Sequence, residues 1–336
     1  MFVIIPPDPF TIPPVRARIT KEQETNSVRG RDIPRANAHG RTSDMNLGYI
    51  GLGMMGGALA RRLMREHKLR VFDLNRAAVD SFAADGAQPV QDPASLAREC
   101  DIILTCLPSS TEVRQAIFGP GGLAEGLAPG KLIVDQTTGD PNETRAMAAD
   151  LAEKGIGLID APVSGGPHGA EAGTIAIMAG GSKEQFDKIR PYLETISPNI
   201  FHCGDVGAGH TMKLVNNVTS ASIRIATFEA VIMGMKNGLS LDTMIEVLSK
   251  GSGQSNASKI SLARIRDHAP GTFAMDLMHK DVRLACQLGN DSGVPMMASN
   301  LTREFFQAGM QTLGPKASCD DIIKVLERNA GVSFTD

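Results

Sequence analysis

Lys213 and Asn217 stand four residues apart near the start of a long apolar segment, so in a helix they share one face. Ser220 and Arg224 continue that face and give a polar stripe to a segment otherwise too apolar to face water. A lysine partly removed from water has a lowered pKa and can exchange protons near neutral pH. Lys213 could therefore take a hydroxyl proton while a hydride leaves the same carbon, with Asn217 holding the hydroxyl or a carboxylate. The alternative is an ordinary solvated lysine, as most helix lysines are.

A second candidate is the run Ser164-Gly165-Gly166, which follows the predicted strand Gly157–Asp160. Successive glycines let backbone N–H groups converge on an anion, and the carboxylate of a small substrate is the natural guest. A flexible connection between a strand and a helix explains the same three residues equally well.

The glycine pattern Gly51-Leu52-Gly53-Met54-Met55-Gly56 lies between a predicted strand and a predicted helix. In this context the first glycine permits a tight turn, the second leaves room for a pyrophosphate, and the third lets the helix close on the strand. The helix N-terminus offers free N–H groups to the phosphates. Asp73, twenty residues after Gly53, would bind ribose hydroxyls and repel a 2′-phosphate, which favours NAD over NADP as cofactor. Asn75 and Arg76 could receive such a phosphate, so NADP is the second choice.

Other candidate residues lie just after predicted strands. Leu107 and Pro108 end the apolar run that begins at Asp101, and Thr137-Thr138 follow Lys131–Asp135. Ligands in doubly wound sheets bind at the carboxyl ends of strands, so these residues could line a cofactor site. Ordinary turn residues would look the same. A later run, His279-Lys280-Asp281, could reach the same site or form a solvated helix face.

The elements that would position these residues fall into two groups. Strands alternate with helices from Leu47 to Cys203, and only helices are predicted from His210 onwards. This predicts an α/β fold, with an N-terminal Rossmann doubly wound sheet at 46–208 followed by an all-α C-terminal domain at 209–336. The first turns of the long helix would then line the cleft between the two.

Residues 1–45 differ from the rest because they are rich in Pro and Arg and show no hydrophobic period. We interpret them as a disordered extension or as residues before the natural start at Met45, which directly precedes the first strand. A transit peptide is disfavoured by four acids, Asp8, Glu22, Glu24 and Asp32.

Composition excludes several classes of protein. The 336 residues are 42% hydrophobic with a net charge of −3, which gives no electrostatic reason to expect nucleic acid or an anionic membrane. No uninterrupted apolar run approaches the roughly 20 residues of a membrane helix. Five cysteines without a CxxC pair predict isolated thiols in the reducing cytoplasm, and the histidines show no metal-ligand spacing.

Together these motifs resemble the 3-hydroxyisobutyrate dehydrogenase family, the β-hydroxyacid dehydrogenases, which includes tartronate semialdehyde reductase-like and threonate dehydrogenase-like enzymes. The resemblance covers Leu47 to about Gly331. It is carried by four runs of the sequence: Gly48–Gly56; Asp160–Gly166 continuing to Gly173-Thr174; Gly207-Ala208-Gly209 with Lys213 and Asn217; and Lys280-Asp281.

The resemblance implies an NAD-dependent enzyme that transfers a hydride between NAD and a small hydroxy acid of the 3-hydroxyisobutyrate, glycerate or threonate class. Lys213 would be its catalytic acid/base and Asn217 would hold the substrate. Ser164, Gly165 and Gly166 would bind the substrate carboxylate, and Thr138 and Lys280 would contact the nicotinamide end of the cofactor. Thr138 would also lie beside the substrate, and the family assembles as homodimers or homotetramers through the helical domain.

Departures from the family pattern leave the substrate open. Thr137-Thr138 stand where many members have Ser, and Gly251–Ser258 lacks the Trp of several substrate classes. An imine reductase on the same scaffold is one alternative, which Lys213 disfavours because such enzymes generally lack the lysine. A non-catalytic NAD-binding interaction protein is the other.

Overall fold

The computed structural model describes residues 45–271 and 273–333 of the chain. The expectation of a disordered or mis-assigned extension at 1–45 falls outside the described residues, apart from Met45.

The described residues contain nine strands in one sheet: β1 Leu47–Ile50, β2 Leu69–Phe72, β3 Gln88–Pro89, β4 Ile102–Thr105, β5 Leu132–Asp135, β6 Gly157–Asp160, β7 Val163–Ser164, β8 Ala176–Gly180 and β9 Ile200–Gly204. Their order is β3-β2-β1-β4-β5-β6-β8-β7, with β9 paired to β8. The pairs from β3 to β6 are parallel. The chain runs outward on both sides of β1, so the connections after β1 and β4 diverge and leave a crevice at the carboxyl edge of the sheet.

Helices cover both faces of this sheet: α1 Met54–Leu63, α2 Arg76–Ala84, α3 Pro93–Glu99, α4 Ser110–Phe118, α5 Pro141–Ala152, α6 Gly166–Ala172 and α7 Lys183–Ile196. Strands β1, β4 and β5 are buried along their whole length, as expected for parallel strands between two helix layers. One apolar cluster packs Leu59, Leu63 and Phe82 on one face, and a second packs Ile103, Ile117 and Met147 on the other.

The helical part follows β9: α8 Ala208–Lys236, α9 Leu241–Lys250, a π turn Ala257–Ser261 that continues into α10 Leu262–Arg266, α11 Met275–Asp291, α12 Met297–Leu313 and α13 Ile322–Ala330. Its own apolar core packs Phe228 of α8 against Val282 of α11 and Phe306 of α12. The predicted α/β sheet followed by an all-α part is therefore confirmed.

Several short elements were not predicted from the sequence. Helices α3, α4 and α6 are seven to nine residues long, too short for a clear hydrophobic period. The caps that begin α3 and α4 were visible in the sequence, because Asp92 accepts from the N–H of Ser95 and Ser109 accepts from that of Thr111. The sheet also departs from parallel pairing where β8 lies antiparallel to β6 and β7.

The start of α8 is fixed against the sheet by Asp160 at the end of β6. The buried carboxylate accepts hydrogen bonds from the backbone N–H groups of Gly207 and His210, both at 2.6 Å. A carboxylate at a helix N-terminus satisfies free donors and complements the helix dipole. Glycine is required at 209, since a Cβ there would lie 2.3 Å from the carbonyl oxygen of Met178. The first turns of α8 are thus held directly beside the carboxyl edge of the sheet.

Helix α8 also has a length and composition that bear on membranes. It is the one helix among the described residues long and apolar enough to cross a membrane by those criteria alone. The core helix of a soluble protein meets the same criteria, so a single such helix is weak grounds for a membrane span.

Candidate active site

The glycine pattern after β1 forms an open cradle at the N-terminus of α1. Gly51 has φ +95°, and a Cβ there would lie 2.2 Å from the carbonyl oxygen of Cys106. A Cβ at Gly56 would lie 2.0 Å from the carbonyl oxygen of Gly51, whereas a Cβ at Gly53 would meet nothing within 4 Å. Gly51 and Gly56 therefore permit close backbone packing, and Gly53 faces open space.

The N-terminus of α1 offers donors to an anion. No side chain caps it and its first turn holds no acid. Met54 is largely exposed, so the helix end is open to solvent at this point. Free N–H groups, a dipole favouring negative charge and the space at Gly53 fit the pyrophosphate of a dinucleotide.

Asp73 lies just after β2 and joins two parts of this cradle. Its carboxylate accepts from the backbone N–H of Leu52 at 2.6 Å and from that of Asn75 at 2.7 Å. The acid is thus held at the mouth of the cradle, where the adenosine ribose of a dinucleotide is expected. The side chain of Asn75 is engaged in capping α2, since its Oδ1 accepts from the N–H of Ala77.

The loops after β4 and β5 lie side by side at the same edge. The backbone N–H of Leu107 donates to Thr137 Oγ1 at 3.0 Å, and Pro108 beyond it is exposed. The carbonyl oxygen of Thr138 accepts from Lys280 Nζ at 2.6 Å, so α11 reaches across to this loop. Thr138, which an ordinary turn would have explained equally well, and Lys280, for which a solvated helix face was the favoured explanation from the residues alone, are therefore in direct contact.

A buried histidine supports these loops from below. Ring nitrogens of His210 lie 2.9 Å from Thr144 Oγ1 and 2.8 Å from the carbonyl oxygen of Thr137, and the imidazole is fully buried. His210 thus ties the first turn of α8 to both ends of the β5–α5 connection. No role was predicted for His210 from the sequence, because a lone histidine carries no signal of its partners.

Lys213 is 6% exposed, one turn further along α8. Desolvation by burial lowers the pKa of its ammonium from 10.5 to about 8; Asp281 opposes this, Lys280 adds to it, and Cys106 opposes it weakly. Within the part of the chain that the structure describes, Nζ donates no hydrogen bond. A buried amine with a pKa near neutrality and free donors is suited to exchange a proton with a ligand.

Asn217 lies one turn beyond Lys213 and is equally buried. Its Nδ2 donates to Asp281 Oδ2 at 2.6 Å, and its Oδ1 accepts from Asn216 Nδ2 at 2.9 Å. Asn216 Nδ2 also lies 3.2 Å from Ser164 Oγ, so this cluster connects α8 with both α11 and β7. The structure therefore brings Ser164 to the same place as Lys213 and Asn217.

Gly165 and Gly166 follow Ser164 in backbone conformations that favour glycine, with φ +139° and +68°. A Cβ at Gly166 would meet nothing within 4 Å, so the backbone here is accessible. The turn begins at Ser164, whose Oγ accepts from Asn216, and successive glycines of this kind can present backbone N–H groups to an anion.

Arg224, which shares the predicted polar stripe, does not belong to the site. Its Nε donates to Asp320 Oδ1 at 2.9 Å inside the helical core, and both side chains are buried. Ser220 is half-buried. No group of three or more potential metal ligands occurs among the residues that the structure describes.

Two residues of the cluster had no role assigned from the sequence: Asp281 was named only within the run His279-Lys280-Asp281, and Asn216 was not named. Asp281 is 1% exposed and occupies the buried stripe of α11 with Met278, Val282 and Ala285. A charged residue on an apolar stripe was the available signal that it faces a partner. Asn216 gave no signal, because its half-buried position beside Ser164 depends on how α8 meets β7.

Comparison with known proteins agrees with this geometry. Residues 46–204 match a family model described as the NAD binding domain of 6-phosphogluconate dehydrogenase. Residues 207–326 match one described as NAD-binding of NADP-dependent 3-hydroxyisobutyrate dehydrogenase. The 2-(hydroxymethyl)glutarate dehydrogenase of Eubacterium barkeri is 39% identical over 87% of this chain and 98% of its own length.

Solved structures give the same assignment. The 3-hydroxyisobutyrate dehydrogenase of Mycobacterium tuberculosis, solved with L-serine, superposes with a TM-score of 0.78 at 28% identity, over 84% of this chain and 99% of its own. An imine reductase of Streptomyces aurantiacus superposes at 0.57 with 22% identity, over 84% and 99% of the two chains, which shows a common fold alone. This chain therefore belongs to the 3-hydroxyisobutyrate dehydrogenase family, the NAD-dependent dehydrogenases of small hydroxy acids.

Proposed function

We propose that Lys213 is the general acid/base of this enzyme and that the substrate lies between Lys213, Asn217 and the Ser164–Gly166 turn. The observation that carries the proposal is the buried amine of Lys213, with a pKa near 8 and no protein hydrogen bond among the described residues. An amine in that condition needs a ligand to make its hydrogen bonds. It can also change charge at the pH where cells work.

These residues act together on one substrate alcohol. The neutral amine of Lys213 accepts the hydroxyl proton as the carbon–hydrogen bond breaks, and in the reverse direction the ammonium returns that proton to the carbonyl oxygen. The α1 cradle and Asp73 would hold NAD, which would supply the hydride acceptor. Asn217 and the N–H groups of Gly165 and Gly166 hold the oxygen atoms of the substrate, which fixes the alcohol carbon beside the cofactor site.

The substrate class follows from this layout and from the relatives. Hydroxyisobutyrate and (hydroxymethyl)glutarate, named in two relatives, share a hydroxymethyl group one carbon away from a carboxylate. One anion-binding turn and one proton-exchanging lysine match that pair of groups. We propose a small acid with a hydroxyl at this distance from its carboxylate.

NAD is proposed as the preferred cofactor over NADP. The carboxylate of Asp73, fixed by Leu52 and Asn75, would repel a 2′-phosphate. Arg76, the nearest cation past β2, is exposed and already pairs with Asp80. An Asp73→Ser variant is expected to lose affinity for NADH and gain affinity for NADPH in fluorescence titrations.

Initial rates over a panel of acids test the function. The panel contains 3-hydroxyisobutyrate, 2-(hydroxymethyl)glutarate, glycerate, threonate, 3-hydroxypropionate and serine, each with NAD and with NADP. We expect turnover of one or two acids with NAD. Protein that binds NADH yet turns over none of them with either cofactor would contradict the hydroxy-acid assignment and favour imine reduction or a binding role.

We also propose a homodimer or homotetramer in the cytoplasm. The helical part exposes large apolar side chains on three helices, among them Met233 of α8, Val247 of α9 and Met297 of α12. Exposed apolar surface of this kind is typical of subunit contacts. Sedimentation equilibrium should give a mass above that of one 35.6 kDa chain.

A further inference from the structure

The amide of Asn217 is held on both sides. Asp281 accepts from its Nδ2 at 2.6 Å, and Asn216 donates to its Oδ1 at 2.9 Å. Asn216 is itself tied to Ser164 Oγ at 3.2 Å. Three elements, α8, α11 and β7, thus meet at the Asn217 side chain. The amide of this side chain must have a fixed orientation if it is to donate an N–H to a substrate.

The Asp281 contact determines which way round the amide stands. A carboxylate can only accept hydrogen bonds, so it requires the NH₂ end of Asn217. A half-turn of the amide would place Oδ1 against the Asp281 carboxylate and its NH₂ against that of Asn216. One acceptor would then face another acceptor and one donor would face another donor. Because both contacts are buried, this orientation is strongly unfavourable.

One N–H of Asn217 remains after these contacts. Nδ2 carries two hydrogens and Asp281 takes one, while Asn216 occupies an acceptor position of Oδ1. The side chain therefore offers a donor to a ligand beside Lys213. An alkoxide-like or carboxylate oxygen needs such a donor.

Asp281 also supplies the negative charge at this place. The charged and titratable groups that face Lys213 are Asp281, Lys280 and Cys106. Asp281 Oδ1 receives no hydrogen bond in the described residues and lies 3.2 Å from Lys280 Nζ. The same carboxylate accepts from Asn217, which lies one turn from Lys213 on the same face of α8. This hydrogen bond places the negative charge of Asp281 near Lys213 as well as beside Lys280.

We propose that Asn216 and Asp281 are positioning residues that fix the Asn217 amide so that it donates an N–H to the substrate oxygen, and that Asp281 is the counter-charge of Lys213. The inference rests on the proposed function for its substrate step. Its electrostatic part is a property of the protein alone and can be measured without turnover.

Two variants separate the two roles. Asp281→Asn removes the charge and allows either amide orientation, whereas Asn216→Ala removes only the second hold on Asn217. Asp320→Asn is the matched control, because Asp320 is also buried and also pairs with a residue of α8, away from the site. Melting temperatures and NADH titrations establish that each variant folds and binds cofactor.

The first measurement is the pH dependence of Lys213 carbamylation by cyanate, resolved by peptide mass spectrometry. Only the neutral amine reacts, so the midpoint reports the charge state of Lys213. Loss of an opposite charge should move the midpoint in Asp281→Asn to lower pH by about one pH unit. Asn216→Ala and Asp320→Asn should keep the wild-type midpoint. An unmoved midpoint in Asp281→Asn would overturn the counter-charge.

The second measurement is kcat and KM for the acid that the wild type turns over. We expect KM to rise about 10-fold in Asn216→Ala with an unmoved pH profile, and kcat/KM to fall about 10-fold to 100-fold in Asp281→Asn. Asp320→Asn should keep the wild-type KM. A wild-type KM in Asn216→Ala would overturn the positioning role. A wild type without turnover but with the expected cyanate midpoints would instead refute the proposed function and support the Asp281 counter-charge.

Discussion

Helix α8 buries two cations on one face, and their surroundings differ. Lys213 lies at the sheet end with no hydrogen bond to the described protein, facing Asp281, Lys280 and Cys106. Arg224 lies eleven residues on, about 16 Å along the helix axis. There its guanidinium pairs with Asp320 at 2.9 Å, with Arg264 at 4.0 Å from the same carboxylate.

The two buried side chains, Arg224 and Lys213, therefore differ in what they can do. The Arg224–Asp320 pair links α8 to the turn before α13. One nitrogen of the guanidinium, Arg224 Nη1, has no hydrogen-bond partner among the described residues, but it is buried in the helical core away from the sheet. Lys213 keeps its donors and has a lowered pKa, which costs stability and leaves an amine ready to exchange a proton. The same residue pattern therefore gives a structural link at one end of the stripe and, at the other, a buried amine that donates no hydrogen bond within the described residues.

The largest expected effect is on turnover, at the Lys213 end of the stripe. Lys213→Met should lower kcat/KM by about 10³-fold, because a positioned acid/base contributes 10²-fold to 10⁴-fold. NADH affinity measured by fluorescence titration should stay within about 2-fold, since Lys213 lies outside the α1 cradle. Near-wild-type turnover in Lys213→Met would remove the distinction between the two cations.

The next effect is at the structural end. Arg224→Met leaves the buried Asp320 carboxylate without its close partner and should lower the free energy of unfolding by about 3 to 5 kcal/mol. The double variant Arg224→Met/Asp320→Leu should recover most of this loss, because it removes both charges. Urea denaturation measures both. Loss of kcat per folded enzyme, with unchanged stability, would show that Arg224 belongs to the active site after all.

The third effect is on stability, and the free energy of unfolding should change in opposite directions in Lys213→Met and Arg224→Met. Burial lowers the pKa of Lys213 from 10.5 to about 8. The folded state is therefore penalised at every pH below 8, and the penalty disappears as pH rises from 8 to 10.5. Lys213→Met should thus stabilise the protein at pH 7 by on the order of 3 kcal/mol, and by much less at pH 10. Urea denaturation at the two pH values checks the sign, and a destabilised Lys213→Met would contradict it.

The smallest effect is a pH profile. Oxidation needs the neutral amine, so kcat/KM for the hydroxy acid should rise about 10-fold per pH unit below 8 and level off above it. Reduction needs the ammonium and should fall above the same pH. Arg224→Met should leave both profiles in place, whereas an Arg224→Met profile that moved would couple the two ends of the stripe.

Much of the fold could be predicted from the sequence. The strand predicted at Gly157–Asp160 has the same bounds in the structure, and the one predicted at Lys131–Asp135 begins one residue later, because short apolar runs between turn residues leave little freedom. The long helix was placed within two residues at its start, at His210 against Ala208. Short helices such as α3 escaped notice, since seven residues do not establish a period.

The candidate site could be predicted in part. Glycine spacing indicated the cradle at Gly51–Gly56, and helical spacing indicated that Lys213 and Asn217 share a face. Which members of the polar stripe belong to the site could not be predicted. Arg224 and Lys213 are both cations on the same helix face, and the residues that pack against each of them are distant along the chain. Asp281 and Asn216 acquire partners through contacts 64 and 52 residues distant along the chain.

The sequence by itself determined the periodicities, the glycine spacing and the order of the motifs, because these depend on residues near one another along the chain. Only the tertiary structure decided which charges are buried and what they face. Burial is set by the packing of α8 against β8, α11 and the loop after β5, and desolvation by that packing is what lowers the pKa of Lys213.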